Sequence, residues 1–247
     1  MKKKLLILGM IFTMAVSSAG CGSSSSDNAG KTDQTKQTAD VQDSQKDTSS
    51  SDKSDNKKDT SYKSADEITM DDLMSHDETP AEDFEFNDSR DDIVIDKYVG
   101  KDPIVVIPDE IDGKKVVGFN KTFSHDKNII AVRIGNNITE IDRDAFGNSV
   151  NLKYLVLGKS VKSIDGGNFS GTSLKELILN DGLEKIGEDD FTDYVDPPLN
   201  NWGMDLKIPE SVTELHVAEF NLIGKSGSYA EQYANEHADA GVTFTAE

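Results

Sequence analysis

Leu152-Lys153-Tyr154-Leu155-Val156-Leu157, followed by Val161, Ile164 and Phe169, returns one unit later as Leu174-Lys175-Glu176-Leu177-Ile178-Leu179, followed by Leu183, Ile186 and Phe191. Phe123 and Phe146 extend the series backwards, so four phenylalanines stand 23, 23 and 22 residues apart. A self-similar period of this length marks a stacked-repeat solenoid, because one unit cannot bury its apolar face alone and is stabilised by its neighbours. Within a unit, alternation places Leu155 and Leu157 inward on a short strand, with Tyr154 and Val156 outward. Leu174, Leu177 and Leu179 take the inward places in the next. Gly158 and Asn180 then turn the chain, a second apolar pair follows, and the recurrent phenylalanine plugs the far side.

The L-x-L core of each unit predicts a leucine-rich-repeat solenoid, β-rich, with short strands plus turns or short helical segments. About five coils, roughly 20 to 25 Å at the spacing of stacked strands, run from Val105 to Val217. A β-rich N-terminal cap is expected from Phe84 and Phe86 through Ile93-Val94-Ile95 to Val105-Val106-Ile107-Pro108, with a turn at Asp112-Gly113. A C-terminal helical cap is expected where Ser228 precedes Ala230, Glu231, Tyr233 and Ala234, with a last strand at Val242-Thr243-Phe244. The run Ile138-Thr139-Glu140-Ile141-Asp142-Arg143-Asp144-Ala145-Phe146, followed by Leu152 to Leu157, resembles the BspA type of bacterial leucine-rich repeat. Ile107-Pro108 and Ile208-Pro209 match that family's terminal Ile-Pro, and residues 228–234 resemble its closing helix. The resemblance covers residues 84–247. It implies a surface-exposed or secreted bacterial protein, some relatives being adhesins. Gly167-Asn168 and Asp189-Asp190 depart from the family's small residue before Phe, which suggests irregular turns there.

Residues 1–20 read as a signal peptide: Lys2, Lys3 and Lys4, an apolar stretch from Leu5 to Val16, then small residues. The apolar stretch is shorter than the ~20 residues a transmembrane helix needs. Cys21, the sole cysteine, follows Ser18-Ala19-Gly20, which resembles a bacterial lipobox and implies a lipoprotein with its membrane anchor on Cys21. Ser18 stands where the family has Leu, and cleavage by an ordinary signal peptidase would instead release a secreted protein. Residues 21–65 are the modified cysteine and a tether. From Gly22 to Ala65 there is no Leu, Ile, Phe, Met or Trp, too little apolar area to offset chain entropy. About 44 such residues span on the order of 35 to 40 Å. Residues 66–83 form a transition segment in which Ile68, Met70, Leu73 and Met74 make a short apolar stripe, enough for a brief helix. Residues 84–247 are the repeat domain.

The formal net charge is -20. Removing the three leader lysines and the tether, whose seven Lys and eight Asp nearly cancel, leaves -22 on residues 66–247. Such a surface repels nucleic acid, so no nucleic-acid partner is expected. His76, His125, His216 and His237 show no zinc-binding spacing, and the chain is read as a monomer without cofactor or metal. Asp189, Asp190, Asp193 and Asp196 are the densest acidic cluster, a set of oxygen donors for calcium whose spacing departs from the EF-hand loop. No catalytic constellation stands out, so an enzyme is not expected.

Binding is then the default reading. The outward strand residues Arg133, Tyr154, Val156, Glu176, Ile178 and Lys207 are the candidate contacts to a protein or glycan ligand. Between Leu179 and Ile208 the period stretches to 29 residues, and the surplus holds Tyr194 and the sole tryptophan, Trp202. Insertions of this kind map to loops, often on a binding face, and aromatic side chains dominate contact energetics. Trp202 folding back to seal the solenoid edge is the alternative. The expected protein is a cell-surface lipoprotein displaying a binding module, in adhesion or, alternatively, as a structural component of an envelope assembly.

Overall fold

A computed structural model of the chain describes residues 63–87, 91–188, 190–191 and 203–247. The first regular element, α1 (Met70–Ser75), starts at Thr69, whose side chain accepts from the Asp72 amide while the Asp72 carboxylate accepts from the Thr69 amide. This reciprocal capping box satisfies two amides that the helix start leaves open. Ser64 and Glu67, which have the same spacing, instead close an isolated turn just before it. The chain then forms β1 (Phe84–Asn87), β2 (Ile93–Tyr98), β3 (Ile104–Val106), β4 (Glu110–Ile111) and β5 (Lys114–Phe119). Strands β1, β2, β5 and β4 make one mixed sheet, antiparallel at both ends and parallel between β2 and β5. Asp112 and Gly113 join β4 to β5 with φ of 52° and 77°. Positive φ at both turn residues matches the twist of a hairpin closed by two residues.

Each following unit contributes one strand to a parallel sheet: β6 (Ala131–Arg133), β7 (Tyr154–Val156), and, after the two-residue β8 (Ser163–Ile164), β9 (Glu176–Ile178). The front sheet runs β3-β6-β7-β9 in strict register, so Val105, Val132, Leu155 and Leu177 form one inward row. All four are buried. The second apolar pair of each unit builds the opposite wall, where β8, β10 (Lys185–Ile186) and, past β11 (Asp205–Lys207), β12 (Glu214–Leu215) pair in parallel. Coils come so close at the corner after β7 that a Cβ on Gly158 would collide with the Gly135 carbonyl. The chain ends with β13 (Asn221–Gly224), α2 (Tyr229–Glu236) and β14 (Thr243–Ala246). Ser228 caps α2, and the Tyr233 hydroxyl donates to the Val217 carbonyl at 3.0 Å while accepting from its amide. Strand β13 lies between β11 and β14, all parallel.

The recurrent phenylalanines meet one another inside this stack. Ring centroids lie 5.4 Å apart for Phe123 and Phe146, 6.2 Å for Phe146 and Phe169, and 5.2 Å for Phe169 and Phe191. Phe220 continues the column 4.9 Å beyond Phe191, so the period lengthens to 29 residues there without losing its ring. Tyr98 and Phe84 carry it into the N-terminal sheet. Two of the rings sit in tight turns with left-handed residues two positions before and two after, Asp144 and Asn148 around Phe146 and Gly167 and Gly171 around Phe169. Gly166, with φ of 96°, adds a left-handed residue that the turn before Phe146 lacks, so the turn at Gly167-Asn168 follows its predecessor with one irregularity. Phe146→Ala removes a fully buried ring with partners on both sides and should cost ~3 to 5 kcal/mol. Urea denaturation should show this as a lower midpoint, with Phe146→Leu losing much less.

Candidate functional site

The register that points Val105, Val132, Leu155 and Leu177 inward points two other rows outward: Ile104, Ala131, Tyr154 and Glu176, and Val106, Arg133, Val156 and Ile178. Their chemistry changes along the stack. Toward β3 the rows are apolar and toward β9 they are polar or exposed. A strand face that carries Ile104, Val106 and Ala131 outward needs a cover. Helix α1 supplies it: Ile68 and Leu73, at 2% and 0% exposure, pack with Ile104, Val106, Ile130, Ala131 and Val156 in a second apolar cluster, with Met70 and Tyr154 at its margin.

Polar contacts fasten this strap at each end. Lys153 Nζ reaches Asp66 Oδ1 and the Ala65 carbonyl, both at 2.9 Å. The Lys153 ammonium beside Asp66 holds its carboxyl below the usual carboxylate range. Arg133 donates to the His76 carbonyl at 3.0 Å, and His76 Nε2 stands 3.4 Å from Asp102 Oδ2. Thr79, buried, donates its amide to the Val106 carbonyl and accepts the Val106 amide on its hydroxyl, closing the free edge of β3. An open edge strand invites pairing with other chains, so this contact also protects the sheet.

The candidate contacts thus fall into two groups. Arg133, Tyr154 and Val156 lie at or under the strap, Val156 with 9% exposure. The segment expected only as a transition covers them, and the outward apolar rows of β3 and β6 were the sequence signal for that cover. Glu176, Ile178 and Lys207 lie on the uncovered half, Ile178 at 37% exposure. Strand β11 comes next to β9 but makes no ladder with it, so the parallel arrangement is broken between them. At this break lies an open cavity of about 1310 Å³ bordered by Glu176, Ile178, Asp205, Lys207, Lys225 and Glu247. Lys207 pairs with Glu247 at 2.6 Å and Lys225 with Glu210 at 3.1 Å. Cys21, Tyr194 and Trp202 lie outside the described residues.

Asp190, from the acidic cluster, is fully buried before Phe191, while Asp189, Asp193 and Asp196 lie outside the described residues. Its Oδ1 accepts from the Asn168 backbone and side-chain amides, both at 3.2 Å, and Asn168 Oδ1 in turn accepts from the Ala145 amide. Asn168 and Asp190 thus form rungs of a buried polar ladder between coils. Among the described residues Oδ2 of Asp190 has no hydrogen-bond partner. Burial raises its pKa from 3.8 to about 7, opposed by the Asn168 hydrogen bonds. Among the described residues no group of three His, Cys, Asp or Glu side chains could hold a metal ion.

Strand, corner, back wall and ring, stacked in parallel register, define the class as a leucine-rich-repeat solenoid. Residues 119–222 match, in six copies, the model of the BspA type Leucine rich repeat region. Among solved structures, a Leucine Rich Repeat protein of T. pallidum is 28% identical with a TM-score of 0.51, over 60% of this chain and 71% of that one. A leucine-rich repeat protein from Bacteroides ovatus is 21% identical (TM-score 0.44, 60% of this chain and 40% of that one). A leucine rich cell surface protein from Faecalibacterium prausnitzii is 18% identical (TM-score 0.35, 70% and 55%). No curated protein matches the sequence.

The buried Asp190 sets a testable pH dependence. Its folded pKa is raised, so the native state holds a proton that the unfolded chain releases near pH 3.8. The associated stability is full below about pH 4 and is lost as pH rises through about 7. Asp190→Asn should remove this slope and raise the thermal midpoint at pH 8, by up to ~4 kcal/mol of stability. Thermal melts at pH 5 and pH 8 read both effects.

Proposed function

We propose that this chain is a surface-displayed binding module whose protein or glycan ligand lies along the uncovered half of the front sheet, from Glu176 and Ile178 to Lys207. One observation carries the reading: Ile178 is a large apolar side chain left exposed at the lip of a cavity, on a sheet whose other outward apolar side chains are covered. A single exposed apolar residue is ordinary on a protein surface, and it is the place of Ile178 at the lip of a cavity rimmed by charge that supports a contact there. The flanking charges of both signs, Glu176 and Asp205 against Lys207 and Lys225, suit a ligand with mixed polarity better than a uniformly charged one.

Retention of the purified full chain on extracellular-matrix extract, whole bacterial cells and a glycan array would identify the ligand class. Ile178→Ser with Lys207→Glu should lower retention on the positive surface about ten-fold, or ~1.4 kcal/mol. Glu140→Gln on the opposite wall should leave it unchanged. Equal losses from both substitutions would place the contact elsewhere.

Display in this reading depends on Cys21 as the lipid anchor, which fixes the domain to the outer face of the cell membrane. Supporting it are the charged and apolar leader, the small residues before Cys21 and the absence of any other cysteine. Cells expressing the chain and fed labelled palmitate should incorporate label into it, and Cys21→Ala should abolish labelling and shift the protein to the medium. Cell-associated, unlabelled wild-type protein would contradict the anchor.

A further inference from the structure

We propose that the strapped half of the front sheet is a docking site for an acidic amphipathic helix of a partner protein, held closed in this chain by its own residues 66–76. The inference rests on the front sheet being the contact face and concerns its other half.

The chemistry of the occupant is displayed in cis. Ile68 and Leu73 enter the apolar surface of Ile104, Val106, Ala131 and Val156, while Asp66 is met by Lys153. On residues that sum to -22, Lys153 and Arg133 are cations placed at this face, and both are engaged with the strap. The site thus selects an acid followed by an apolar stripe, the pattern Asp66-Glu67-Ile68-Thr69-Met70-Asp71-Asp72-Leu73.

The occupant is also smaller than its site. Helix α1 has six residues, well under the length at which an isolated helix is stable, so its fold depends on docking. Beside it a cavity of about 250 Å³ remains between Ile68, Asp72, His76, Pro103 and Ile104. A second, of about 330 Å³, lies past its end among Glu78, Val106, Arg133, Val156 and Lys159. A longer helix on the same stripe would fill both. The arrangement is an autoinhibited site, in which a short self-segment excludes weak ligands and yields to a partner helix with more apolar contact.

The probe is a fluorescein-labelled synthetic peptide of residues 63–79, titrated by anisotropy against the full wild-type chain and full-length Leu73→Asp. The Asp side chain cannot enter the apolar surface, so the strap is released. Leu73→Asp should bind the peptide at least about ten-fold tighter than wild type, and adding Lys153→Glu should remove the gain. Equal binding to the two chains, or none to either, overturns the proposal. Because Leu73→Asp could unfold the domain, hydrogen exchange on the unmodified chain gives an independent reading. The amides of Leu73 and His76 should exchange while those of Val132 and Leu155 stay protected. Simultaneous exchange of both sets means the strap is an inseparable part of the core and overturns the proposal. A wild-type dimer by light scattering that Leu73→Asp converts to monomer assigns the site to strap exchange between copies, and equally overturns a partner helix. Ile178 and Lys207 are untouched throughout, so loss of ligand binding at the open half is read separately.

Discussion

Every coil of this protein depends on the ring-to-ring contact between its phenylalanine and the next. A single unit of 22 or 23 residues offers one strand, one back-wall pair and one ring, and none of these is enclosed until a neighbour lies above and below. The column from Phe123 to Phe220 therefore transmits burial along the stack rather than concentrating it at one centre. Its ends are where the fold needs special devices. At the first end Tyr98, Phe84 and Phe119 bring the rings under a mixed sheet. At the last, Phe220 is followed by β13, and α2 is tied back through Tyr233 to Val217.

Most of this architecture was legible because it is written in local, repeated pattern. Leu155 and Leu177 alternate with Tyr154 and Ile178, and alternation alone assigns their faces. The Asp112-Gly113 hairpin and the Ser228 cap are likewise set by residues within a few positions. The strap was not legible in the same way, although both of its halves were visible. Ile68 and Leu73 make a weak stripe, and Ile104, Val106 and Ala131 are apolar in outward places, but only a tertiary match between segments 31 to 63 residues apart joins them. The break beside β9 belongs to the same class. A stretched period shows where regularity ends, whereas the strand pairing lost there depends on how the next coil is laid down.

The acidic ladder shows a different limit. In the sequence Asp190 stands in a run of aspartates, a set of oxygen donors whose spacing departs from that of a calcium loop. Its place immediately before a core phenylalanine turns it inward, and the coil before it uses Asn168 for the same rung. One residue type that donates and accepts is followed by one that only accepts when ionised, which leaves Oδ2 without a hydrogen-bond partner among the described residues. The position thus follows the repeat while its side chain departs from what the repeat can satisfy.

Charge and burial together explain why the front sheet is divided. In a strongly acidic domain, cations on a binding surface would draw anionic ligands, yet Lys153 and Arg133 are taken up by the strap and Lys207 and Lys225 by Glu247 and Glu210. The open half therefore presents the apolar shape around Ile178 and a set of paired charges, rather than a strong field. The covered half holds the larger apolar surface, fastened by a segment whose two buried side chains contribute ~1.5 to 3 kcal/mol each. Ordering each residue of that segment costs ~1 to 2 kcal/mol, so the closure is narrow in energy although its side chains are well buried. A narrow balance at residues 66–76 thus decides whether the apolar rows of β3 and β6 stay covered.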